Sequence, residues 1–255
     1  MPILSDFYAP RIRIPQMIQR GKTQTVELSI YRDGSIVTPT AATYNLLKAN
    51  GEDLISATAA TIVSSVCKYT INSSILPETL ELSDGWFELW EVEIGGVSFT
   101  FQRPAYLCRR PLYMVVSDLD LETSYSDLAD LLPSSYTDGY QKWIDEAWVR
   151  ILERLRNLGN LPYLVTDPQS LRTPHLELTL ALIWRNMATS LGQSNGRYIE
   201  LYREHLKFYD TSFKSLSFRY DGLESGRSED PNRRKAAVSM ISTANPPQRY
   251  FKRNY

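Results

Sequence analysis

Residues 140–158 read YQKWIDEAWVRILERLRNL, and the apolar positions Trp143, Ile144, Ala147, Trp148, Ile151, Leu152 and Leu155 recur at intervals of three and four. This spacing predicts one long amphipathic helix. Lys142, Asp145, Glu146, Arg150, Glu153, Arg154 and Arg156 fall on the opposite side, Glu146 and Arg150 stand at i,i+4, and Gly159 follows where a left-handed cap is expected. A large apolar side chain stabilises by roughly 1.5–3 kcal/mol when buried, so two Trp, two Ile and two Leu place on the order of 10 kcal/mol on this stripe. Only other segments can realise it.

Two further helices are predicted to provide that cover. Thr173 can cap a helix with Pro174 at its first position, and Leu176, Leu180, Ile183, Trp184, Met187 and Leu191 then form a stripe ending at Gly192. The last helix is expected over residues 195–218, with Tyr198, Leu201, Tyr202, Leu206, Tyr209, Phe213 and Leu216 near one side. SDLADLLP opens the helical half as a short helix stopped by Pro133. Trp143, Trp148, Ile151, Leu155, Leu180, Trp184, Leu201 and Phe213 are the expected core of an α-helical bundle.

The first half carries a different rhythm. TQTVELSIY alternates Val26, Leu28 and Ile30 with polar residues and meets a turn at Asp33-Gly34; further strands are expected over 43–48, before Asn50-Gly51, and over 61–71. GWFELWEVEIGGVSFTF is the clearest hairpin, with Trp86, Trp90, Val92 and Ile94 on one side of the first strand, Gly95-Gly96 at the turn, and Val97, Phe99 and Phe101 on the return. Short strands with frequent turn signals read as an antiparallel β-sandwich, immunoglobulin-like, giving an α+β chain. The divisions are an extended N-terminal arm (1–21, with Pro2, Pro10 and Pro15), the sandwich (22–118), the helical part (119–220) and a C-terminal tail (221–255).

At 255 residues, 43% hydrophobic, the chain is long enough for two such units, and a net charge of -1 gives no global attraction to nucleic acid or membrane surfaces. No stretch approaches the roughly 18 apolar residues of a membrane span, and the first residues lack a secretory pattern. Cys67 and Cys108 are too few for a disulfide framework, which fits a reducing, intracellular origin; whether the two pair is left open.

The familiar catalytic signatures are absent from the sequence. His175 and His205 are the only histidines, neither lies in an HExxH, GxSxG or GxxxxGKS/T setting, and both are read as structural. Asp118, Asp120 and Glu122 in VSDLDLETS are read as a solvated linker because their spacing is not that of a calcium loop. No catalytic, cofactor or metal residue is assigned, and the chain is read as a non-enzyme.

The one local charge asymmetry is the end. Residues 231–255 hold Arg233, Arg234, Lys235, Arg249, Lys252 and Arg253 with no acidic residue, interleaved with Tyr250, Phe251 and Tyr255. Basic residues beside aromatics suit phosphate contact and base stacking, but an extended end that buries nothing alone suits docking on another subunit better.

The helical half, from SDLADLLP through the Trp143 and Trp184 stripes to HLKFYDTSFKSLSFRYDGLESG, resembles the head-to-tail connector (adaptor) proteins of tailed bacteriophages over residues 124–225. The likeness rests on a short acidic opening helix, the aromatic and aliphatic rhythm of the helices, and a last helix running into Tyr220-Asp221-Gly222. It implies a ring of about twelve copies, assembled in the host cytoplasm and placed in the virion neck around the DNA channel. The C-terminal segment would dock on the portal protein and a next neck or tail protein would lie below, with non-specific DNA contact in the lumen and no membrane partner. The large β-domain goes beyond the minimal pattern of that family. The alternative is a tail-tip or baseplate component whose β-domain binds a receptor, carbohydrate or fibre.

Overall fold

Alternation at a period of two puts Val26, Leu28 and Ile30 on the buried face of one strand and Trp86, Trp90, Val92 and Ile94 on that of another, and those faces meet. The computed structural model describes residues 8–10, 13–32, 35–131, 139–190, 196–216, 219–222 and 224. Among them the fold is α+β, with two mostly antiparallel five-stranded sheets and four α-helices.

The strands are β1 (Ala9–Pro10), β2 (Gln16–Gln19), β3 (Gln24–Arg32), β4 (Ser35–Val37), β5 (Ala41–Leu47), β6 (Asp53–Ala59), β7 (Thr61–Val63), β8 (Val66–Ile71), β9 (Ser83–Ile94) and β10 (Val97–Cys108). One sheet has the order β1-β3-β8-β7, with β4 also on β3; the other runs β2-β10-β9-β5-β6. Both draw on residues 1–21. β1 lies antiparallel to β3, whereas β2 lies parallel to β10, so the chain passes from one sheet to the other between Pro10 and Gln16. Tyr44 of β5 stacks on Tyr69 of β8 at 4.6 Å across the shared core.

Three strand expectations change. Residues 61–71 are two strands, because Ser64 and Ser65 take φ of 50° and 67° and turn the chain back. That pair of left-handed residues matches the twist of a tight hairpin without the Asn-Gly or Gly-Gly that normally announces it. A strand over residues 53–59 was not foreseen; it pairs with β5 with shifts in register. Val97 is exposed beside the Gly95-Gly96 turn. The Asp33-Gly34 turn lies outside the described residues.

The helices are α1 (Asp118–Ser124), α2 (Gln141–Asn157), α3 (Arg172–Ser190) and α4 (Gly196–Lys214). All seven apolar positions of α2 named from the sequence are buried, Glu146 pairs with Arg150 at 2.8 Å, and Gly159 (φ 78°) ends the helix as its N–H reaches Arg156 O at 2.8 Å. VSDLDLETS is helix rather than linker: Ser117 caps α1 in a reciprocal box with Asp120, whose carboxylate also accepts from Arg172 at 2.6 Å. SDLADL is a 3-10 turn, and Pro133 lies outside the described residues.

Thr173 is not a cap. A 3-10 turn over Pro168–Leu171 runs straight into α3, which begins one residue earlier. From Leu178 to Trp184 every residue of α3 is buried, so it is enclosed on all sides instead of presenting one stripe. Leu191 and Gly192 lie outside the described residues.

Candidate functional site

Three kinds of place in the fold bear on function: the root of the tail, the buried polar networks and the open faces. Arg233, Arg234, Lys235, Arg249, Tyr250, Phe251, Lys252, Arg253 and Tyr255 lie outside the described residues.

After α4 the chain returns to the junction between the two cores. Tyr220 forms an antiparallel bridge with Val165, Thr166 N donates to Arg219 O at 2.9 Å, and Asp221 N donates to Leu164 O at 3.0 Å. The Tyr220 hydroxyl accepts from Leu161 N at 3.3 Å. Asp221 is 1% exposed and lies 3.8 Å from the Arg109 guanidinium, whose Nη2 donates to Glu224 O at 2.8 Å. Arg109 directly follows β10, so the tail is rooted on the β unit as well as on the helices. Tyr220-Asp221-Gly222, read from sequence as a step out of the last helix, is a clasp.

Of the expected helical core, Trp143, Trp148, Ile151, Leu155, Leu180, Trp184 and Phe213 are buried, and Leu201 is only half-buried on α4. Three polar groups at this core form a network that no spacing in the sequence marks. His205 Nδ1 lies 2.7 Å from Glu177 Oε2 and its Nε2 lies 2.7 Å from the Tyr125 hydroxyl, tying α3, α4 and the end of α1. The connectivity of carboxylate, imidazole and hydroxyl is that of a nucleophilic triad, but the hydroxyl is a phenol. Burial first, then the nearby Glu204 and Glu177 charges, hold its pKa above the ordinary tyrosine value. A phenol so placed is a poor nucleophile and a good strut. Tyr125 also packs edge-on against Trp184 at 5.2 Å.

His175 is fully buried, with Nε2 donating to Ile144 O at 3.0 Å and the ring 5.0 Å from Trp148. Burial pushes its pKa down to about 4 against the opposing effect of that hydrogen bond, so the ring is neutral. In the β core, Glu88 accepts from Tyr44 Oη at 2.9 Å and from Arg103 Nε at 2.5 Å. The signal for this pair was present in sequence: Glu88 interrupts the stripe of Trp86, Trp90, Val92 and Ile94, where a charge is buried only with a partner.

Cys67 and Cys108 are free and buried, and burial pushes their thiols up to about 11 and about 12. They sit on β8 and β10, and the Cys108 thiol donates to Ile18 O at 3.3 Å. Among the described residues no group of three or more His, Cys, Asp or Glu could hold a metal ion. No helix among them is long and apolar enough to cross a membrane.

An open groove runs along the outer side of α2, lined by Arg13, Glu146, Val149, Arg150 and Glu153, where Arg13 and Glu146 approach to 3.8 Å. The β unit leaves residues 53–63 along one side of both sheets, since β6 is the last strand of one and β7 of the other.

No protein-family model and no curated protein matches the chain. Among solved structures it is similar to a family 123 glycoside hydrolase from Clostridium perfringens, 12% identical, with TM-score 0.25, over 58% of this chain and 32% of that one. It is also similar to the Parabacteroides merdae beta-glucuronidase, 10% identical, with TM-score 0.26, over 62% of this chain and 24% of that one. The chain thus spans about a third and a quarter of those proteins, and likeness at this level fixes neither fold family nor activity.

Proposed function

We propose that the chain is a structural head-to-tail connector subunit of a tailed phage, forming a ring in the virion neck and docking on the portal through residues 231–255. The observation that carries this reading is the clasp of Tyr220 and Asp221 between the two cores, with Arg109 holding Asp221 and Glu224. A terminal segment transmits force to a partner only if its root is fixed, and this one is fixed on both units at once. The basic and aromatic composition beyond the clasp suits an interface rim and anchors.

In this reading the β unit is an immunoglobulin-like sandwich and the helices a bundle beneath it. The strand order supports the first: β1, β3, β8 and β7 fall in the places of strands A, B, E and D, and β10, β9, β5 and β6 in those of G, F, C and C′. Cys67 and Cys108 then stand on the E and G positions instead of B and F, which accounts for their being free.

Mass photometry of the purified chain, alone and mixed with its portal ring, tests the proposal. A stoichiometric ring is expected in the mixture. A single-chain mass at every salt concentration would overturn it.

A further inference from the structure

The long strand β10 is paired unevenly on its two sides. Toward β9 its register is unbroken from Val97 to Ala105, whereas on the other side β2 covers only Ala105–Cys108. Among the described residues, Val97–Pro104 is therefore an open sheet edge. Natural edges are blunted by charges, bulges or a covering segment, and residues 97–102, VSFTFQ, carry neither a charge nor a bulge.

The hairpin turn decides which backbone groups point outward. Gly95 and Gly96 both take positive φ, 60° and 79°, in a two-residue turn that closes on a hydrogen-bonded pair, here Ile94 and Val97. In an antiparallel ladder such pairs alternate with pairs whose N–H and C=O groups face away. Val97, Phe99, Phe101 and Arg103 thus bond to β9, while Ser98, Thr100 and Gln102 turn theirs to the open side. Pro104 falls in the same outward series, where the missing N–H takes nothing from the ladder.

We propose that a second copy of the chain pairs with this edge, β10 antiparallel to β10, about a two-fold axis at Thr100. That centre opposes Thr100 to Thr100 and Ser98 to Gln102 on both sides of the axis, so every outward residue exchanges N–H and C=O bonds with an outward counterpart. Moving the axis to Phe99 would set Gln102 against the Gly95-Gly96 turn. Moving it to Phe101 would set Ser98 against Pro104, which has no N–H to give.

The side chains agree with the backbone. Ser98, Thr100 and Gln102 are exposed and uncharged, so no like charges meet across the axis. Glu91, opposite Thr100 on β9, would lie three strand spacings from its copy, about 14 Å, which exceeds the screening length of about 8 Å at physiological salt. On the inner face, half-buried Phe99 would stand opposite Phe101 of the second copy, an aromatic cross-strand pair made twice. The edge is its own complement, which is what selects a second copy over a foreign strand. A pairing of this length is a small interface, so the association is weak and depends on concentration. It is separate from portal docking and does not rest on that reading.

Sedimentation velocity of the full-length chain alone, from the micromolar range upward, tests this. The native chain should move toward a doubled mass as concentration rises, and the amides of Ser98, Thr100 and Gln102 should exchange more slowly in step. Thr100→Pro, placed in the outward series as Pro104 is, should hold the chain at its single mass and leave the β9 ladder whole. Thr100→Lys sets like charges directly across the axis and should weaken the association several-fold, and mixing it with Thr100→Glu should restore it. A single mass throughout the native series would overturn the proposal. So would an association that both Thr100→Pro and Thr100→Lys keep in full, or slow exchange at those amides that does not change with concentration, which would assign the cover to the chain itself.

Discussion

Arg103 and Glu88 stand directly opposite each other on β10 and β9, and the guanidinium Nε meets the carboxylate at 2.5 Å in the centre of the β core. Glu88 is fully buried and Arg103 nearly so, with Tyr44 of β5 donating to the other carboxylate oxygen. Three adjacent strands are therefore held by one charge pair. A slip of one residue would strand both charges on apolar neighbours.

Arg103→Met alone should destabilise the chain by about 3–5 kcal/mol, because Glu88 is left buried without its cation. Adding Glu88→Leu should restore much of the loss. Urea unfolding of the two single variants and the double variant measures the coupling; strict additivity would show that the pair does not act as a unit.

His175 predicts a pH dependence of defined sign. Its pKa is about 4 in the folded chain and near 6.5 when unfolded, so the unfolded chain binds the extra proton between those values. The stability it contributes is complete above about pH 6.5 and is lost as the pH falls toward 4, by up to about 3 kcal/mol. The melting temperature of His175→Gln should fall less steeply over that window than that of the native chain.

Gly159 ends α2 at a φ of 78°, and a Cβ there meets nothing. Gly159→Ala should therefore cost only the backbone term, about 1–2 kcal/mol. A loss twice as large would mean that the cap is also a packing contact.

Asp221→Ala should loosen the root of the tail while sparing both cores. Trypsin should cut at Arg219 several times faster, with the main unfolding transition shifted by no more than a few degrees. A large drop in melting temperature would instead make Asp221 part of the common fold.

The helix over 141–157 was legible because its stripe is wide, uninterrupted and closed by Gly159, so propensity, period and cap agree. The hairpin of β9 and β10 was legible for the same reason. Ser64-Ser65 was not, because nothing local marks two serines as left-handed, and the turn is imposed by the pairing of β7 with β8. Asp53–Ala59 was missed because its exposed Ser56, Ala57, Thr58 and Ala59 give no hydrophobic alternation. The tail clasp was missed because its partners, Leu164 and Arg109, are distant in sequence. The network at His205 had the same obstacle, since Glu177, Tyr125 and His205 share no spacing rule.

Tyr163 and Leu164 are buried among the β-strand side chains, while the next residue, Val165, is buried among the helices; Met17 and Tyr220 touch both groups. Neighbours one peptide apart thus belong to opposite halves, and the peptide between Leu164 and Val165 ties the two cores directly. Any relative movement of the two cores would have to draw Leu164 or Val165 out of its own packing.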